Sequence, residues 1–320
     1  MTEIFISTPV GTSLPPVHIP HGRIPARRDG LAGLGRLLFA EARPGVQAVF
    51  ALRFVCGALA CGASRPRWSP AFPAGVLAWF LLCCAIYILN GWSDRLGDRL
   101  NGSRRPIASG ALPARQALGS VIVLYCGALA LAGAAAPRMI PAAVGMIALG
   151  CAYSVGPRPL KAAAFGAPLA IGAGAALSFL AGSACTGAAP DARTWWLLGF
   201  CGWVGAACCT KDFSDVVGDR LAGRRTWPVR LGVRLAAARI GAATGLTGLG
   251  LLVLAASADV GTLVFAAIPV VLGSIALPAV LTAAHVRDRR VHPRLAYRAY
   301  MTTQYTVLIL MLALAAPAYL

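Results

Sequence analysis

Phe80-Leu81-Leu82-Cys83-Cys84-Ala85-Ile86-Tyr87-Ile88-Leu89-Asn90-Gly91-Trp92-Ser93-Asp94-Arg95-Leu96-Gly97-Asp98 is an apolar run that passes, with no turn signal, into a row of polar side chains. Asn90, Asp94 and Asp98 stand at i, i+4 and i+8, so a helix carries them on one face, about 12 Å from end to end. A second stretch, Lys211-Asp212-Phe213-Ser214-Asp215-Val216-Val217-Gly218-Asp219, follows another apolar run. There Asp212, Asp215 and Asp219 at i, i+3 and i+7 again predict a single helix face. The chain has eleven acidic residues, and five fall in these two stretches. A solvated loop accounts for an isolated aspartate but not for two in-phase rows, each beginning where an apolar segment ends.

Working outward, the composition gives the class. The chain is 58% apolar and 12% charged, far from a soluble globular average. Apolar runs long enough for a hydrocarbon core of roughly 30 Å recur along it. They predict nine membrane-spanning helices at 45–63, 71–90, 114–135, 138–156, 163–185, 194–211, 236–256, 260–284 and 300–319. Most of the 29 basic residues fall before the first span or in alternate loops. By the positive-inside rule that face is cytoplasmic, with the N-terminus and both acidic stretches on it, and the expected location is the plasma membrane. The net charge of +18 is spread over several short loops with no nucleic-acid-binding motif, so lipid head groups and an anionic substrate are the expected partners rather than nucleic acid. Residues 1–40 carry no signal-peptide core and are expected to form a disordered or loosely attached cytoplasmic segment ahead of a membrane domain at 41–320. The ten cysteines lie in apolar runs without metal or redox spacing and read as small packing residues. Trp195 and Trp196 read as an interfacial belt, and His285 and His292 as loop residues.

The chain repeats itself. Ser93-Asp94-Arg95-Leu96-Gly97-Asp98-Arg99-Leu100-Asn101-Gly102 matches the ten residues from Ser214 to Gly223 at seven positions, and each copy continues into an Arg-Arg pair. A charge inside the bilayer costs roughly 2.5–3.5 kcal/mol at a helix centre and less near the interface, which makes such rows functional candidates. Hard oxygen ligands in this number suit Mg²⁺, which binds through a few carboxylates plus phosphate oxygens. A duplicated acidic site on one side of the membrane favours two halves of a binuclear metal site over the two gates of a transporter.

These motifs, in a chain of nine spans, resemble the UbiA superfamily of intramembrane prenyltransferases. The interval from Asp98 to Pro106 is similar to the chlorophyll synthase and homogentisate prenyltransferase branch. Tyr153-Ser154-Val155-Gly156-Pro157-Arg158-Pro159-Leu160-Lys161 is similar to the block that follows the fourth span in that family, and Arg43-Pro44 before the first span also fits. Gly91 departs from the pattern: many relatives have Asp there, so this row is one carboxylate short.

The resemblance implies an all-α bundle around a central cavity that transfers a prenyl group from an isoprenyl diphosphate to a small or lipophilic, aromatic acceptor. Two Mg²⁺ ions would be held by Asn90, Asp94 and Asp98 on one side and by Asp212, Asp215 and Asp219 on the other. Arg105, Arg158, Lys161, Lys211 and Arg220 would clamp the diphosphate, Tyr153 would face the developing cation, and Arg43 would lie on the acceptor side. Asp215 would be either a ligand or an orienting group. A membrane terpene cyclase using the same site and, more distantly, a cation-coupled transporter are the alternatives.

Overall fold

The computed structural model describes residues 30–59, 70–100, 102–187, 189–214, 216–221, 223–258, 260–286 and 294–315. These residues form thirteen α-helices and, among them, no strand. In chain order the helices are α1 (Gly30–Glu41), α2 (Pro44–Leu59), α3 (Ala71–Leu100), α4 (Pro106–Ser109), α5 (Ala114–Ala135), α6 (Ile140–Ser154) and α7 (Gly166–Thr186). There follow α8 (Ala192–Ala207), α9 (Val216–Leu221), α10 (Trp227–Leu231), α11 (Val233–Ser257), α12 (Thr262–Val286) and α13 (Leu295–Ala315).

Each of the nine expected spans coincides with a helix: α2, α3, α5, α6, α7, α8, α11, α12 and α13. Among the described residues, α3, α5, α7, α11 and α12 are both long and apolar enough to cross a membrane. The other four are shorter or less apolar, so five crossings rest on length and composition, not nine. The bundle presents its greasy side outward, as lipid solvation requires and water does not. Ile122 and Val123 of α5, Leu246 and Leu249 of α11, and Leu272 and Ile275 of α12 are all exposed. Pro269 and Pro278 sit inside α12 without ending it, a tolerance typical of membrane helices.

Three packing arrangements position the site. First, α3 has 30 residues, about 45 Å at 1.5 Å per residue, which exceeds a hydrocarbon core of roughly 30 Å. Its last turns, with Asn90, Asp94 and Asp98, therefore project beyond the apolar section while α5 packs along the rest. Second, α2 and α7 touch backbone to backbone. A Cβ at Gly57 would lie 2.0 Å from the Phe179 carbonyl oxygen and one at Gly182 would lie 1.9 Å from that of Phe54, the small-residue contact that lets membrane helices approach closely. Third, α8, α11, α12 and α13 share one core around a run of stacked rings, Trp196, Phe200, Trp203 and Tyr300, with centroids 5.7–6.1 Å apart.

Three expectations need correction. Trp196 is no interfacial anchor: it is fully buried in that stack and its indole N–H donates to the Leu251 carbonyl at 3.0 Å, while its neighbour Trp195 is exposed. Residues 30–40, expected within a loose N-terminal segment, lie in α1, which packs on α3 and α4. The second acidic stretch is not one helix face. Cys208–Ser214 winds as a 3₁₀-helix and α9 begins anew at Val216, so Asp212 and Asp219 belong to different elements. The Thr210 hydroxyl donates to Ala207 O (2.8 Å) and the Ser214 hydroxyl to Lys211 O (2.9 Å), the local side-chain bonding that competes with regular α-helix.

Candidate active site

The sequence repeat is a structural repeat. Gly102 and Gly223 both adopt left-handed φ, +65° and +67°, as a helix-terminating residue without a Cβ can. Behind each, the next amide reaches back to an aspartate carbonyl: Ser103 N–H to Asp98 O and Arg224 N–H to Asp219 O, both at 2.9 Å. This six-to-one closure reverses the chain. It turns the arginines that follow back onto the carboxylates just passed.

The two acidic stretches meet at one guanidinium. Arg224 donates to Asp94 Oδ1 at 2.9 Å and to Asp219 Oδ1 at 3.3 Å. Lys161, delivered by the turn between α6 and α7, donates from Nζ to the same Asp94 Oδ1 at 2.9 Å, to Asn90 Oδ1 at 3.2 Å and to Ser93 Oγ at 2.5 Å. Burial pulls the Lys161 ammonium below its ordinary range, and Asp94 opposes that pull. For Arg224 burial also works against the charge, but Asp94 and Asp219 outweigh it and the net shift is upward. The two loops bearing these cations are stitched together: Arg225 N–H donates to Ala162 O at 3.0 Å, and Trp227 Nε1–H donates to Ala164 O at 2.6 Å. The Trp227 ring also meets Phe165 edge-on at 5.4 Å.

Asp98 is held apart from this hub. Its carboxylate takes Arg105 Nη1 at 3.0 Å, while Arg105 Nη2 pairs with Glu41 Oε1 at 2.6 Å. Glu41 is fully buried and its other oxygen accepts the Ile107 amide at 2.9 Å, fixing the start of α4. This pair occupies the space beside Gly91, where an added Cβ would lie 2.0 Å from Glu41 Oε1 and 2.5 Å from Arg105 Nη2. The carboxylate missing from position 91 is thus present in space, supplied by α1.

Beneath the hub lies a cavity of about 180 Å³, lined mostly by apolar side chains of α2, α3, α6, α7 and α13. Asn90, Tyr153, Lys211 and Arg43 stand on its wall. Lys211 Nζ donates to the Tyr153 hydroxyl at 3.1 Å and lies 5.8 Å from that ring's centre. Arg43 sits between α1 and α2 with φ +58°, an uncommon conformation for a side-chain-bearing residue.

The structure therefore brings together Asn90, Asp94, Lys161 and Asp219 in one cluster and places Tyr153 and Lys211 on the adjoining cavity. Asp98 and Arg105 form their own pair. Arg158 and Arg220 are exposed and make no ion pair among the described residues. Asp212 lies in the 3₁₀ turn next to Lys211, and Asp215, like His292, falls outside the described residues. Among the described residues no three His, Cys, Asp or Glu side chains group closely enough to hold a metal ion. The donors present are nonetheless hard oxygens, and two cationic side chains already sit on them, so Asn90, Asp94 and Asp219 fit a hard divalent cation. Sequence reasoning missed Glu41 and Arg224. The signal for Glu41 was its rarity, one of eleven acids at the edge of an apolar run.

Residues 51–305 match the UbiA prenyltransferase family, and the chain belongs to that family. Among curated relatives, it is 33% identical over 196 residues to the chloroplastic chlorophyll synthase of Arabidopsis thaliana, covering 57% of this chain and 50% of that protein. It is 36% identical over 212 residues to the digeranylgeranylglyceryl phosphate synthase of Halobacterium salinarum, covering 62% and 70%. The match thus spans only half the length of the plant enzyme. Among solved structures, a UbiA homolog from Archaeoglobus fulgidus bound to GPP and Mg²⁺ shares the fold with a TM-score of 0.70 at 20% identity, covering 88% of this chain and 99% of that one.

Proposed function

We propose that this protein is an intramembrane prenyltransferase that transfers an isoprenyl group from an isoprenyl diphosphate to a small or lipophilic acceptor. The observation that carries the reading is the convergence of Asp94 and Asp219, one from each acidic stretch, on the single guanidinium of Arg224 beside an apolar cavity. Family membership and the named activities of the relatives support it. Mg²⁺ held by Asn90, Asp94 and Asp219, with Asp212 and Asp215 nearby in sequence, would neutralise charge on the departing diphosphate. Lys161, Lys211 and Arg224 bind and orient the same phosphate oxygens, and they stabilise the leaving charge as the allylic carbon–oxygen bond breaks. The isoprenoid tail lies along the apolar wall. Tyr153 presents its ring to the developing cation, and the packed helices keep out the water that would quench it. The site opens to the cytoplasm, where the basic loops lie.

Chelation is the direct test. Purified protein given geranyl diphosphate and a panel of phenols is expected to release pyrophosphate and form prenylated product only when Mg²⁺ is present, with EDTA abolishing both. Carboxylates without a metal repel a diphosphate, so undiminished turnover in EDTA overturns the proposal. A second expectation concerns Lys161→Ala. It should weaken donor binding about tenfold or more, the worth of one charge-assisted contact, and leave acceptor binding unchanged. Arginine at this position should restore part of the loss, since charge returns without the compact ammonium geometry. Normal donor kinetics for Lys161→Ala in detergent would remove it from the phosphate clamp.

A further inference from the structure

The cavity beneath the hub has a charged floor. On α6 its lining runs from Tyr153 down to Met146, and on α13 from Tyr297 down to Gln304, each an interval of about 10 Å at 1.5 Å per residue. Arg53 of α2 is 3% exposed and lines the deep end, where one of its amino groups donates to Gln304 Oε1. Below Arg53 the helices close. Cys56 Sγ donates to the Leu308 carbonyl of α13 at 3.4 Å, and α2 meets α7 backbone to backbone at Gly57. The wall is continuous as well: α2, α3, α6, α7, the 3₁₀ turn Cys208–Ser214 and α13 each touch the next around the ring, and the Tyr305 hydroxyl donates to the Gly45 carbonyl across the α2–α13 seam. Among the described residues, the buried Arg53 Nε has no hydrogen-bond partner and no carboxylate pairs with the guanidinium. Arginine does not shed its proton in proteins, and hydrocarbon pressed onto such a group gives its N–H nothing to meet, which is costly.

We infer that Arg53, oriented by Gln304, fixes the length of the donor: the tail ends at this floor after two isoprene units, which makes the donor a geranyl-class diphosphate. Two estimates agree. An extended chain advances about 1.2 Å per main-chain atom, so an isoprene unit, with four such atoms, spans about 5 Å, and two units span the depth of about 10 Å. By volume, about 150 Å³ holds one benzene ring, a body close in size to one isoprene unit, and the cavity is about 180 Å³. With the reacting end left at the hub, that is room for most of two units and far too little for three. The inference deepens the prenyltransferase reading and rests on it for the word donor.

The experiment is displacement of radiolabelled pyrophosphate from the detergent-solubilised protein with Mg²⁺. The competitors are the sulfur-bridged thiolodiphosphates of dimethylallyl, geranyl and farnesyl, which resist ionisation, with uptake by empty micelles subtracted. Without a floor, each added unit would tighten binding, because burying hydrocarbon is favourable. Wild type is instead expected to bind the geranyl compound at least tenfold more tightly than the farnesyl one. Arg53→Ala should shrink that preference at least tenfold, a ratio taken within one preparation. Gly174→Ala decides the matter should Arg53→Ala fail to fold. Gly174 lines the cavity, and a methyl there meets Met146 and Leu149 at 3.5–3.7 Å without displacing them. It takes room that the second unit needs and should shift binding from geranyl toward dimethylallyl at least fivefold. Farnesyl binding as tight as geranyl in wild type, an undiminished preference in folded Arg53→Ala, or a geranyl-to-dimethylallyl ratio unmoved by Gly174→Ala overturns the inference and leaves prenyl transfer standing. If no thiolodiphosphate of any length binds better than pyrophosphate, the prenyltransferase reading falls with it.

Discussion

Asp94→Asn is expected to lower prenyl transfer by about 10²–10³-fold, the scale seen when one preorganised charge-stabilising group is removed from an active site, with membrane accumulation of the protein close to normal. The substitution keeps size and hydrogen-bonding capacity, so packing at the end of α3 survives. What disappears is the negative charge that Lys161 and Arg224 share at 2.9 Å and that a metal would share with them. Asp219→Asn removes the facing charge and should behave alike. The measurement is initial rate per mole of folded protein, compared with fluorescence-detected gel filtration for the amount. Near-normal rates in both variants would make the acidic rows structural.

The second large effect is expected at Glu41, which no motif includes. Removing one partner of a buried ion pair costs about 3–5 kcal/mol, and Glu41→Ala leaves Arg105, with an 11% exposed side chain, paired with the Asp98 carboxylate and otherwise bonded only to the neutral carbonyls of residue 41 and Tyr87. The start of α4 loses its amide acceptor at the same time. A lower unfolding midpoint in detergent, together with weakened activity, is the predicted outcome. Gly91→Asp alone should destabilise as well, since its side chain enters space that Glu41 and Arg105 already fill. Combined, the two substitutions should recover much of the lost stability, because the new carboxylate takes the position of the old one. Additive losses in the double variant would show that the two sites do not share that space.

Much of this was legible in the sequence. The apolar runs located nine of the helices, and for five of them the length is the one that hydrocarbon thickness imposes. The rows on α3 were legible because a long helix preserves its own periodicity. The phase of the second row was not: hydroxyls of Thr210 and Ser214 bond to the backbone and tighten the helix, and spacing read at 3.6 residues per turn then fails. Arg224 was hidden among many loop arginines, and only the reversal at Gly223 selects it. Arg53 could be seen inside a span, but the sequence does not say that Gln304, 251 positions later, faces it while, among the described residues, no carboxylate pairs with it.

The seam between the two loops has a consequence for engineering. Since Arg225 and Trp227 tie the segment after α9 to the turn at Ala162 and Ala164, the loops that carry Lys161 and Arg224 are held together. Under the proposed function, a diphosphate would meet these two cations as a pair whose spacing the seam sets. Substitutions at Trp227 or Phe165, whose ring contact and carbonyl bond lie in that seam, would then alter how long a diphosphate stays while leaving Asp94 and Asp219 unchanged.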